Sequence, residues 1–104
     1  MRPIPPKLKA QIAADPYYQK CARAKDGGCD HIITWEHAFT YAGRQINERW
    51  AIIPLCSWHH FDAGLKKAKN QLIALSRATP EDLAKYPRVD WNRVRTRLEY
   101  TTHQ

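Results

Sequence analysis

Cys56-Ser57-Trp58-His59 sets two soft metal ligands one helical turn apart, and the only other cysteines, Cys21 and Cys29, lie upstream of it. A chain of 104 residues has room for one small core and buries only about 60 to 65 per cent of its unfolded surface, so a metal clip or a disulfide is expected to hold it. Three cysteines cannot close a full set of disulfides. No apolar signal segment is seen near Met1, so a cytoplasmic location is expected and the thiols read as ligands. Cys21, Cys29, Cys56 and His59 together make a closed four-ligand set, which means a structural zinc rather than a catalytic one. The spacing from Cys21 to Cys29 exceeds the usual gap of about two to four residues; the alternative is three buried thiols acting as small hydrophobes.

Around this set the pattern predicts helix, knuckle, two strands and three helices. Pro3, Pro5 and Pro6 hold the start extended, and Lys7 to Ala14 reads as a short helix ended by Asp15-Pro16, with Tyr17-Tyr18 packing the next turn on the core. Cys21 to Cys29 is a polar knuckle with Gly27-Gly28. From Asp30 to Thr40 β-branched and aromatic residues predict a strand ending near His37, and Ala42-Gly43-Arg44 a turn. Trp50 to Leu55 is a second apolar run, broken by Pro54. Phe61, Leu65, Ala68, Leu72 and Leu75 then mark one face of a helix. Thr79-Pro80-Glu81-Asp82 starts a short helix that stops before Pro87. The last helix, about Asp90 to Tyr100, carries Trp91, Val94 and Leu98 inward and Arg93, Arg95 and Arg97 outward. Trp35, Trp50, Trp58 and Trp91 are all expected in the core.

With His59 assigned to zinc, the adjacent His60 is free for other work, because consecutive residues do not readily serve one ion. Glu36 and His37 end the first strand and His60 opens the helix after the second. A carboxylate and an imidazole facing each other there would hold a divalent cation with positions left open for phosphate and water. Seventeen Lys and Arg against ten Asp and Glu, a net charge of +7, concentrate polyanions around such a site. No apolar run is long enough to span a membrane, and there is neither an internal repeat nor a low-complexity stretch.

An acid-His pair, a glycine turn and a Cys-x-x-His-His segment entering a helix, here Glu36-His37, Gly43 and Cys56 to His60, resemble the HNH endonucleases (the His-Me finger, or ββα-metal, nucleases). The intervals from His37 to Cys56 and His60, 19 and 23 positions, match the common form of that motif, and the resemblance spans about Cys21 to Lys69. It implies an α+β fold: a ββα-metal finger stapled by zinc, with flanking helices at both ends. The chain would be a single nuclease domain, with residues 1–20 as arm and short helix, 21–78 as zinc knuckle and ββα core, and 79–104 as C-terminal helices. It further implies a DNA endonuclease or nickase with His37 as general base and Glu36 and His60 on one Mg2+ or Mn2+, leaving 5′-phosphate and 3′-hydroxyl ends. Lys66, Lys67 and Lys69 would meet phosphates from a helix laid into the minor groove, and Arg44 the scissile strand. Small stand-alone members of the family are frequent in phages and prophages.

Two positions depart from the family pattern. Ala51 stands where its middle Asn belongs, leaving Asn47, four residues earlier, as the substitute that would support the base, and Glu36 replaces the usual Asp. Asp30-His31-Ile32 spells the acid-His sequence a second time, but too close to Cys29 and too far from His60, so His31 reads as a surface or supporting residue. Ala51 also favours an alternative, a non-catalytic zinc-stabilised nucleic-acid-binding module; a zinc domain that binds only protein is the third reading. DNA is the expected partner and no membrane is. So small a domain would read shape or little sequence, with a partner protein supplying specificity or a homodimer making a double-strand cut.

Overall fold

The computed structural model describes residues 4–61 and 66–102 and is an α+β arrangement of short helices around two small antiparallel sheets. Helix α1 (Pro6–Ala14) starts with a proline at its first position, buries Ile12, and ends at Asp15, whose carboxylate accepts from the Tyr17 N–H. Tyr18 in the following turn is buried. Its hydroxyl lies between the carbonyls of Arg49 and Ile52 and accepts from Arg77, tying the N-terminal segment to the sheet and to a later helix.

Strand β1 (Ile33–His37) pairs with β4 (Ile52–Cys56), while β2 (Thr40–Tyr41) and β3 (Arg44–Gln45) form a separate hairpin between them. Ala42 and Gly43 both have positive φ, +52° and +77°, the two-residue turn whose twist matches a hairpin. Pro54 does not break the second strand as its sequence suggests. The Ser57 N–H to Ile32 carbonyl and Ala38 N–H to Ala51 carbonyl bonds bracket the β1/β4 ladder. Counting inward by two puts Trp35 and Pro54 on a pair that exchanges no hydrogen bonds, so the missing N–H is not needed. All five β4 residues are buried, which accounts for an unbroken apolar run in place of an alternating one.

Strand β4 leads directly into α2 (Ser57–Phe61), and α3 (Lys67–Arg77), α4 (Pro80–Ala84) and α5 (Trp91–Thr102) follow. Leu65 lies outside the described residues, as does the link between α2 and α3 in the long helix face read from the sequence. Thr79 caps α4 with a reciprocal Asp82 bond, as expected from Thr-Pro-Glu-Asp. Phe39, Trp50, Tyr86 and Trp91 meet mostly edge to face, with Phe39 and Trp91 rings 5.6 Å apart, and join α5 to the sheet connection. Ile12, Tyr18 and Ile52 form a second cluster under α1.

Three expectations about side-chain placement are corrected. Trp58 is 56% and Phe61 85% exposed; both sit on a five-residue helix whose inward direction is taken by His59, so their rings stack on each other at the surface. Arg95 is half-buried rather than outward, because it stands beside Val94 on the inner side of α5. Among the described residues no helix is long and apolar enough to cross a membrane.

Candidate functional site

The four soft ligands converge. The ligand atoms of Cys21, Cys29, Cys56 and His59 all lie within 4.8 Å of one another, close to the edges of about 3.5 to 3.8 Å that a tetrahedron with Zn–S near 2.3 Å requires. Nδ1 of His59 is 3.2 Å from both the Cys21 and the Cys56 sulfur. Nε2 of the same ring donates to the Gly27 carbonyl at 2.9 Å, which leaves the Nδ1 lone pair facing the thiols and fixes it as the ligand nitrogen. Burial pushes the Cys21 thiol up. It pushes Cys56 up too, but hydrogen bonds from the His59 and Asp30 backbone and from the Cys29 and Cys21 thiols outweigh it and bring that group below its ordinary range. The donor set suits zinc: it is compact, rich in sulfur, enclosed, and oriented by a backbone carbonyl.

The knuckle between Cys21 and Cys29 is held in place by charge. The nearly buried Arg23 donates to Asp26 at 2.8 Å, and Lys69 of α3 reaches the other oxygen of that carboxylate at 2.6 Å. Asp30 accepts from the Ser57 and Trp58 backbone N–H groups, each at 3.1 Å, and from the Ser57 hydroxyl. Its carboxylate is thereby committed to the start of α2. His31 is exposed, with φ at +67°. The second acid-His sequence therefore serves the turn into β1.

At the other end of β1, Glu36 and His60 meet, with Oε2 and Nε2 2.8 Å apart. The neighbouring Thr34 hydroxyl has one proton and donates it to the Leu55 carbonyl at 2.9 Å. It can therefore only accept from His60 Nδ1–H in the contact it makes with that ring. With Nδ1 carrying a proton, Nε2 would turn a lone pair toward a carboxylate unless a cation lies between them, either a proton or a metal ion. Two such donors about 3 Å apart fit adjacent positions around one small divalent cation.

His37 and Glu36 both line a cavity of about 340 Å³ between the end of β1 and α3. Nε2 of His37 is 2.7 Å from Oδ1 of Asn47, so Asn47 reaches the ring from the segment before β4. Ala51 is fully buried and its methyl group offers no hydrogen bond. Lys67 lines the same cavity, Lys66 stands at the start of α3, and Arg44 is exposed on the small hairpin. Lys69, expected to face phosphate, is instead paired with Asp26.

Sequence reasoning missed Gln45 and Asn70. Both line the His37 cavity, and the amide nitrogen and oxygen of Asn70 and the Gln45 oxygen are buried without a hydrogen-bond partner among the described residues. Asn70 is buried on α3 together with Ala74 and Leu75. No family model, curated protein or solved structure matches the chain.

Proposed function

We propose that this chain is a metal-dependent DNA endonuclease or nickase of the HNH class, its ββα-metal finger made of β1, β4 and α2. The observation that carries the reading is the Glu36–His60 contact, where Thr34 fixes the tautomer so that the two groups must share a cation, beside a histidine oriented by Asn47. Cys21, Cys29, Cys56 and His59 would hold zinc and thereby fix the end of β4 from which His60 projects.

Glu36 and His60 would hold Mg2+ or Mn2+, which when bound supplies positive charge to the phosphate and its leaving oxygen. His37 donates from Nε2 to Asn47, so its Nδ1 keeps a lone pair and takes a proton from the attacking water. The water oxygen bonds to phosphorus as the bond to O3′ breaks, and the departing O3′ takes a proton from solvent water, leaving 5′-phosphate and 3′-hydroxyl ends. Lys67, at the cavity wall, pairs with a phosphate oxygen; the orphaned Asn70 amide accepts hydrogen bonds from or donates them to the substrate or its water, and the orphaned Gln45 oxygen accepts them.

The test is a supercoiled plasmid incubated with zinc-loaded protein and Mg2+ or Mn2+, with His37→Ala and His31→Ala alongside. Nicking that is lost with His37→Ala and kept with His31→Ala is the expected result. Folded, zinc-loaded wild type that nicks neither plasmid nor branched or single-stranded DNA would overturn it. The zinc-stabilised binding module, favoured by the apolar Ala51, would then remain.

A further inference from the structure

Arg93, Arg97 and Tyr100 of α5 take no part in the chemistry above. They fall at i, i+4 and i+7, one row along the helix. Both arginines are exposed, and among the described residues neither guanidinium has an ion-pair or hydrogen-bond partner. Tyr100 is 69% exposed. The nearest carboxylate on the row, Asp90, is engaged at Oδ1 by the Arg93 backbone N–H.

This row is connected to the His37 cavity. Phe39, Thr40 and Gln71 line both that cavity and a neighbouring groove of about 620 Å³, whose far wall carries Arg93 and Arg97 together with Asp90. Gln71 is pinned at the junction by its bond to the Ala38 carbonyl at 3.0 Å. The same two arginines border a third, more open depression that reaches Tyr100. A path thus runs from His37 past Gln71 to two unpaired guanidinium groups one helical turn apart and then to an exposed phenol ring.

Guanidinium groups without carboxylate partners, spaced along a groove, suit successive phosphates of a polynucleotide strand. An exposed ring beyond them suits a nucleobase, and only an unpaired base can reach it, because in a duplex the bases stack on one another. We propose that the substrate carries a single-stranded DNA extension that leaves the His37 cavity along this groove, its phosphates on Arg93 and Arg97 and a base on Tyr100. The placement of the reacting phosphate at His37 rests on the nuclease reading; the binding test does not.

The test is fluorescence anisotropy with the zinc-loaded, full-length His37→Ala protein, comparing a labelled blunt duplex with the same duplex carrying a single-stranded tail, over a range of salt. The tailed DNA should bind about 100-fold more tightly. Arg93→Ala/Arg97→Ala should remove about tenfold of that advantage and lower the slope of log affinity against log salt by about 1.4, roughly 0.7 for each phosphate contact on a single strand. Arg93→Lys/Arg97→Lys should keep most of the slope. Tyr100→Ala should weaken the tailed DNA about tenfold with the slope unchanged. Lys7→Ala/Lys9→Ala, on α1, should change neither. Equal binding of blunt and tailed DNA, or a double arginine variant that binds the tail like its parent, would overturn the proposal. Tail-dependent binding by a wild type that cuts nothing would remove the nuclease reading and leave this one standing; nicking with tail-independent binding would do the reverse.

Discussion

Asn47 and His37, ten positions apart, meet across the entry to β4 with Oδ1 and Nε2 at 2.7 Å. The amide oxygen can only accept, so the ring proton sits on Nε2 and the lone pair on Nδ1. Asn47 is a positioning residue that fixes a tautomer, and its loss should reduce plasmid nicking by about 10- to 100-fold, the usual cost of removing an orienting partner. Asn47→Asp keeps an acceptor and should retain more activity than Asn47→Ala. Matched anisotropy curves for DNA would separate the effect from binding. Equal activity in Asn47→Asp and Asn47→Ala would mean that the residue does not act through the ring.

Cys56 is the structural hinge of the chain, since it ends β4, opens onto α2 and faces both Cys21 and His59. Zinc bound to such a set contributes on the order of 10 kcal/mol at neutral pH, comparable with the whole stability of a small domain, about 5 to 15 kcal/mol. Cys56→Ser, or a strong chelator added to wild type, should therefore abolish the cooperative thermal transition followed by circular dichroism. One equivalent of zinc by elemental analysis is expected in the wild type. A metal-free protein that melts at the same temperature as the loaded one would show that the thiols pack as ordinary apolar groups.

The distribution of order along the chain explains what its sequence disclosed. The candidate metal ligands were legible because Cys-x-x-His is a local, one-turn device and the remaining cysteines had few other uses; the structure brings all four together. The α4 start was legible for the same reason, its capping box being complete within four consecutive residues. Contacts that depend on β1/β4 register were not. Pro54 looked like a break because its pairing phase is set by bonds outside the strand, at Ile32–Ser57 and Ala38–Ala51. Trp58 and Phe61 looked like core because aromatic residues near an apolar strand usually are, yet the short α2 can turn only one side inward and His59 occupies it. The pairing of Lys69 with Asp26 across 43 positions has no local signature at all.

The Asp26 contacts make a prediction about pH. Its hydrogen bonds to Lys69 and then Arg23 hold the carboxyl below its ordinary value, against the opposing effect of partial burial. A folded-state value depressed in this way gives stability that is complete above the unfolded value, 3.8, and is lost as pH falls through the still lower folded value. Asp26→Asn should cost about 1 to 2 kcal/mol in urea melts near neutral pH: the pair with Lys69 is half in solvent, while Arg23 is left buried with a weaker partner. The gap between wild type and variant should stay constant from about pH 8 to pH 5. A gap that closes near pH 6 would assign the effect to a histidine instead.

Asn70 sets stability against function. It is 2% exposed, and both polar atoms of its side chain lack partners among the described residues while lining the cavity that contains His37. A buried, unsatisfied amide costs on the order of 1 to 3 kcal/mol, and a leucine of similar size would remove that cost and pack toward Ala74, its buried i+4 neighbour on α3. Asn70→Leu should therefore raise stability by about 1 kcal/mol, a rise of roughly 4 to 8 °C in Tm for a domain of this size, while slowing nicking at least tenfold. A packing role alone predicts that stability and activity move together, so a variant that melts higher and cuts as fast as wild type would show that the amide meets no substrate, and one that melts lower would show that it was not an orphan in the folded protein.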